Sequence, residues 1–157
     1  MTASFRDRLI SRLAHLIFLL RRPMTLGVRG VVIAADESIL LVRHGYVSGW
    51  HFPGGGVEPG ETCEEALTRE LEEEARVKLE GPPALHGVFF NGRVSRRDHV
   101  AVYVVRHFRQ DRLPEPNREI IDCGFFAITA LPEGTTFGTQ LRIAEVLDGK
   151  PLIATWR

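Results

Sequence analysis

Lysine is nearly absent from this 157-residue chain: Lys78 and Lys150 are the only two among 20 basic side chains. Cysteine is as scarce, and Cys63 and Cys123 form neither a CxxC pair nor a Cys/His metal spacing. Both are read as buried thiols in a reducing compartment, which places the chain in the cytoplasm. Net charge is missing too. The 20 acidic residues balance the 20 basic ones, which removes the electrostatic argument for nucleic-acid binding. No apolar run reaches the ~18–20 residues of a membrane span. There is no internal repeat, low-complexity tract or dividing linker. What remains, 44% hydrophobic and 25% charged, is a globular composition. Its length suits one domain that needs no staples. The preference for Arg suits forked contacts to phosphate or carboxylate, and genome base composition produces the same bias.

Residues 1–25 stand apart from residues 26–157. Leu13 to Leu20 is apolar and flanked by Arg6, Arg8, Arg12, Arg21 and Arg22. Asp7 and His15 interrupt a signal-like pattern, and Arg21-Arg22-Pro23 replaces a small-residue cleavage site. The spacing of Phe5, Leu9, Leu13, Leu16, Ile17 and Leu20 predicts an amphipathic helix over residues 4–20. Packing on the domain or in a homodimer is the first reading, and contact with a membrane surface is the second.

Beyond Pro23 the pattern predicts strands at 28–35, 39–42 and 50–52, the first two as a hairpin across Asp36-Glu37-Ser38. Thr62 to Ala75 reads as a helix, with Thr62 and Glu65 spaced as a capping box. Strands follow at 85–90, 99–108 and 119–128, then a short helix at 139–147. Strands around one strong central helix imply an α/β sandwich on a mixed sheet.

On the central helix, at ~100° per residue, Cys63, Leu67, Leu71 and Ala75 form an apolar stripe, and Glu65, Thr68 and Glu72 face water. Glu70, Glu73 and Glu74 instead gather in an arc at the stripe's edge. Carboxylates three and four apart repel, and Arg69 cannot neutralise all three. Hard oxygen ligands on a rigid element suit Mg²⁺ or Mn²⁺. A solvated acidic face is the plainer account of such a run. Gly54-Gly55-Gly56, after a strand and Pro53, lets the backbone approach a ligand closely.

Together these residues resemble the Nudix box: Gly55, five residues, Glu61, seven residues, Arg69-Glu70-Leu71, one residue, Glu73-Glu74, one residue, Arg76-Val77. All fixed positions agree except Arg76, where the family has Gly. Trp50-His51-Phe52-Pro53 and the segment from Glu119 to Pro132 are similar to the family as well. The resemblance covers about residues 26–150. It implies a Nudix-like α/β/α sandwich with a mixed β-sheet and a loop–helix–loop metal site. Glu70, Glu73, Glu74 and the Gly55 carbonyl would hold Mg²⁺ or Mn²⁺, Arg69 would orient the glutamates, and Glu61 would brace the loop. Arg76 would be forced into the left-handed conformation that closes a helix.

The expected activity is pyrophosphohydrolysis of a nucleoside diphosphate linked to another moiety. Glu70 is the first choice for general base, with Glu73 and Arg69 beside it, and Glu115 and Glu119 are candidates for an acid contributed by a distant loop. Arg93, Arg97 and His99 are candidates for substrate phosphates, with a solvated basic turn as the plainer account. Phe89, Phe90, Tyr103, Phe125 and Phe126 read as core that could also stack a base, and His44 and His51 as structural. A protein that binds or senses nucleotide diphosphates without turnover would use the same pocket.

Overall fold

The computed structural model describes residues 23–157, so the amphipathic helix expected over 4–20 lies outside the described residues. Eight strands are formed: β1 (Thr25–Val32), β2 (Ile39–His44), β3 (Trp50–His51), β4 (Lys78–Leu79), β5 (Ala84–Phe90), β6 (Asp98–Val105), β7 (Phe108–Arg109) and β8 (Ile120–Phe126). Among the described residues two α-helices accompany them, α1 (Cys63–Ala75) and α2 (Phe137–Leu147).

β1, β6 and β5 make a mixed sheet: β1 runs parallel to β6 and β5 antiparallel to it. β3, β2 and β8 make an antiparallel sheet, and β4 pairs with β7. Side chains alternate between two cores, as the pleat requires. Val28 and Val32 of β1, with Ala101, Tyr103 and Val105 of β6, face Leu67 and Leu71 of α1. Val31, Val100 and Val102 face the opposite way, toward Phe89, Phe52 and Ile143 of α2. Sheets thus separate two helices, giving the α/β sandwich that the strand–helix pattern implied. No helix among the described residues is long and apolar enough to cross a membrane.

The expected β1–β2 hairpin is corrected. The turn is tight, with Asp36 Oδ1 accepting from Ser38 N (3.1 Å) and Ser38 Oγ (2.6 Å). Yet pairing stops at a single bridge between Ile33 and Ile39. The strands then part because both edges of β1 are taken. β6 holds one, and the glycine loop holds the other through Val28 N→Gly55 O (2.8 Å), Gly30 N→Pro53 O (2.9 Å) and Val57 N→Leu26 O (2.8 Å). The strand expected through residue 108 ends at Val105, and the chain resumes as β7 against β4. α2 begins two residues before its expected start, at Phe137, because Thr136 is its cap.

Candidate metal centre and active site

The site forms where the glycine loop passes α1. Gly54 has φ 141°, and a Cβ there would lie 2.1 Å from Val28 O. A Cβ on Gly55 would lie 2.3 Å from Glu70 Oε1. The loop can therefore lie between β1 and the helix carboxylates only as glycine.

Helix α1 is closed at both ends. Thr62 Oγ1 accepts from Glu65 N (3.2 Å) and Glu65 Oε2 accepts from Thr62 N (2.8 Å), the expected capping box. At the exit Arg76 has φ 53° and ψ 29°, and Val77 N donates to Leu71 O (3.0 Å), so an arginine occupies the left-handed position that usually takes glycine.

Arg69 ties the helix to the loop. It grips Glu61 with two nitrogens (Nε–Oε1 2.9 Å, Nη2–Oε2 3.1 Å), donates through Nη1 to Glu70 Oε1 (2.7 Å) and through Nη2 to Gly56 O (3.1 Å). Glu61 Oε2 also accepts from Glu58 N (3.0 Å). Glu61 thus joins the start of its turn to Arg69, and Arg69 joins Glu61, Glu70 and the glycine loop.

The three glutamates have different surroundings. Glu73 is 62% exposed, with Oε2 3.6 Å from Arg69 Nη1. Glu70 is half-buried against Gly55. Glu74 is only 3% exposed and accepts from Gly54 N (2.7 Å). Burial pushes the Glu74 carboxyl up to about 7; the Gly54 N–H and Arg29 offset this in part, while Glu70 and Glu119 add to it.

Beside Glu74 lies His44, also buried, its Nδ1 3.6 Å from Glu74 Oε1. Burial, then Arg29 and His51, bring its pKa down to about 4. The distance is an ion pair's, but burial drives both groups toward their neutral forms, so the contact is a neutral imidazole against a carboxyl that ionises only near neutrality. Neither ring nitrogen has a hydrogen-bond partner among the described residues.

Of the distant-loop acids, Glu119 is the one brought in. Its carbonyl accepts from Gly45 N (2.8 Å), Asn117 Oδ1 accepts from its N–H (2.8 Å), and its charge acts on Glu74 and Tyr46. Glu115 stays exposed in the preceding loop. Arg93 and Arg97 lie exposed in the 91–97 turn. His99 sits on β6 opposite Leu26, its ring 5.5 Å from Phe90. No described contact joins these three to the carboxylates. Phe89 and Tyr103 are buried core.

Arg29 was not singled out in the sequence, because a lone Arg in a β-rich run looks like an ordinary strand residue. In the structure its Nη1 donates to Gly54 O and, at 3.4 Å, to Phe52 O, and its charge acts on Glu74, His44, His51 and Tyr46.

Among the described residues no three His, Cys, Asp or Glu side chains converge as a ligand set. Glu70 is turned to Arg69, Glu74 to Gly54, and Glu73 to solvent. The donor chemistry nevertheless fits a hard divalent ion. A buried carboxyl that ionises only near neutrality, two further carboxylates acting on it and loop carbonyls alongside are oxygen donors short of positive charge.

The family model for the NUDIX domain matches residues 23–145. The chain belongs to the Nudix family. It is 40% identical over 76 residues to diphosphoinositol polyphosphate phosphohydrolase 2 of Rattus norvegicus, covering 48% of this chain and 42% of that protein. It is 44% identical over 55 residues to an RNA pyrophosphohydrolase of Coxiella burnetii, covering 34% of this chain and 24% of that protein. These matches span less than half the length of either relative. The crystal structure of a MutT NUDIX hydrolase from Burkholderia pseudomallei superposes with a TM-score of 0.67 at 28% identity, covering 78% of this chain and 97% of that one.

Proposed function

We propose that the chain is a divalent-metal pyrophosphohydrolase of the cytoplasm that cuts a diphosphate linkage in a nucleoside diphosphate joined to another moiety. The observation that carries this reading is the burial of Glu74 at the glycine loop with Glu70 and Glu119 acting on it. A buried carboxyl surrounded by like charge is costly unless a cation arrives. Family membership and relatives named for phosphohydrolase and pyrophosphohydrolase activity support the reaction class.

Glu70, Glu73, Glu74 and the Gly55 carbonyl would hold Mg²⁺ or Mn²⁺. The chemistry a divalent ion supplies when bound is neutralisation of phosphate charge and acidification of water. Glu70 Oε1 is engaged by Arg69, which leaves Oε2 to take the proton from the attacking water. Arg69 holds that carboxylate in place while Glu61 holds Arg69. Glu119, on a separate loop, is the accessory acid. Hydrolysis of this kind rests mainly on positioning and electrostatics.

Under saturating Mg²⁺, Glu70→Gln and Glu73→Gln are each expected to lower kcat by about a hundredfold or more, with unchanged melting curves. Near wild-type turnover by both variants would overturn the mechanism. Tight nucleotide binding by a wild type that releases no product would favour a sensor.

A further inference from the structure

Between β2 and β3 the chain forms a loop, residues 45–49, that no part of the proposed chemistry uses. It borders a cleft of about 430 Å³ lined by Arg43, His44, Tyr46, Ser48, Gly49 and Ile121. Two observations there, and a third at the adjoining glycine loop, point to a ligand. Tyr46 is 68% exposed although its ring lies 5.2 Å from that of His44, leaving an aromatic face open to solvent. The His44 ring is 5% exposed with both nitrogens unpartnered among the described residues, and buried polar atoms are normally satisfied. Arg29 anchors one nitrogen of its guanidinium on the Gly54 and Phe52 carbonyls. Its Nε and Nη2 have no hydrogen-bond partner among the described residues, and such a fork suits a phosphate.

We propose that this cleft and the adjoining glycine loop together recognise the substrate, with Arg29 holding a phosphate of the diphosphate at the loop and Tyr46 stacking the nucleobase in the cleft. The assignment rests on the pyrophosphohydrolase reading. It moves substrate recognition from the exposed Arg93 and Arg97 of the 91–97 turn to Arg29 and the 45–49 loop. Arg29 reaches the loop carbonyls that flank Glu74, so a phosphate on its fork would lie beside the carboxylates. Tyr46 lies against His44 and His44 against Glu74 (Nδ1–Oε1 3.6 Å), so one extended ligand can run from the tyrosine to the carboxylates. His44, between them, offers its unpartnered ring nitrogens for a hydrogen bond to that ligand.

Two probes separate the parts: inorganic pyrophosphate and α,β-methylene-ADP, each titrated calorimetrically with Mg²⁺ into the full-length chain. Arg29→Met should weaken both at least about tenfold, and Arg29→Lys, which keeps the charge without the fork, should recover part of the loss. Tyr46→Ala should weaken α,β-methylene-ADP roughly tenfold and leave pyrophosphate within about twofold. Arg93→Ala with Arg97→Ala should leave both probes unchanged. Wild-type pyrophosphate affinity in Arg29→Met, or losses that follow Arg93 and Arg97 instead, would overturn the assignment while hydrolysis by the wild type persists. A wild type that neither binds pyrophosphate nor hydrolyses nucleotides would remove the parent reading with it. Melting curves of each variant separate loss of binding from loss of fold.

Discussion

At residue scale the burial of Glu74 and His44 side by side sets an unusual pH response. Burial raises the Glu74 carboxyl from 4.5 to about 7 and lowers the His44 imidazole from 6.5 to about 4. The stability linked to Glu74 is full below its unfolded value of 4.5 and is lost as pH rises through about 7. That linked to His44 is full above 6.5 and is lost as pH falls through about 4. Between pH 4.5 and 6.5 the unfolded pair carries one proton, on His44, and the folded pair carries one, on Glu74, so the two slopes cancel. In metal-free protein with EDTA, His44→Gln should therefore become less stable as pH rises from 4.5 to 7, through the remaining Glu74. Glu74→Gln should become more stable from 4 to 6.5, through the remaining His44. Each change should be on the order of 3 kcal/mol across its window. Denaturant midpoints against pH measure this, and slopes of the same sign in both variants would refute the opposed shifts.

At the scale of elements, α1 shows what a sequence states locally and what it leaves out. Its start was legible because Thr62 and Glu65 satisfy each other across three residues, and its buried face because Leu67 and Leu71 recur at helical spacing. The strain at its end was legible too: Arg76 takes the left-handed conformation with φ 53°. Arg76→Gly removes that strain and should stabilise the protein by about 1 kcal/mol in urea melts. Turnover should not change, since Arg76 contacts no carboxylate of the site; a loss of stability would mean that the arginine side chain contributes packing that outweighs the strain. By contrast, the parting of β1 from β2 was not legible, because it depends on β6, more than 60 residues away along the chain, and on a loop that behaves as a strand. The same long-range closure hides Arg29 and His44. Alternation along a strand says which side a residue faces, not which loop passes over it, so the candidate site was half visible: the helix carboxylates and glycines, without the groups facing them.

On the scale of the whole molecule, the face away from the carboxylates is held by a buried charge. Arg142 is fully buried, its guanidinium 3.9 Å over the Phe89 ring. It donates to Ile153 O (3.0 Å) and Glu145 Oε1 (2.7 Å). Glu145 accepts in turn from Ile153 N (2.8 Å), and its other oxygen lies 3.0 Å from His86 Nε2. Helix α2, strand β5 and the C-terminal segment therefore meet on one ion pair, and the segment continues beside β5 through Phe90 N→Ala154 O and Trp156 N→Phe90 O, both 2.9 Å. Desolvation makes such a pair a poor source of net stability, whereas leaving one member behind is expensive. Glu145→Leu should cost about 3–5 kcal/mol, because Arg142 stays buried and charged. The double variant Arg142→Met/Glu145→Leu should recover most of that loss. Activity per folded molecule should hold in both, since the clamp and the glycine loop lie on opposite sides of the sheets. Urea melts of the two single variants and the double variant measure the coupling. A Glu145→Leu cost below about 1 kcal/mol, or a double variant no better than the single, would show that backbone pairing along β5, not the buried pair, docks the C-terminal segment.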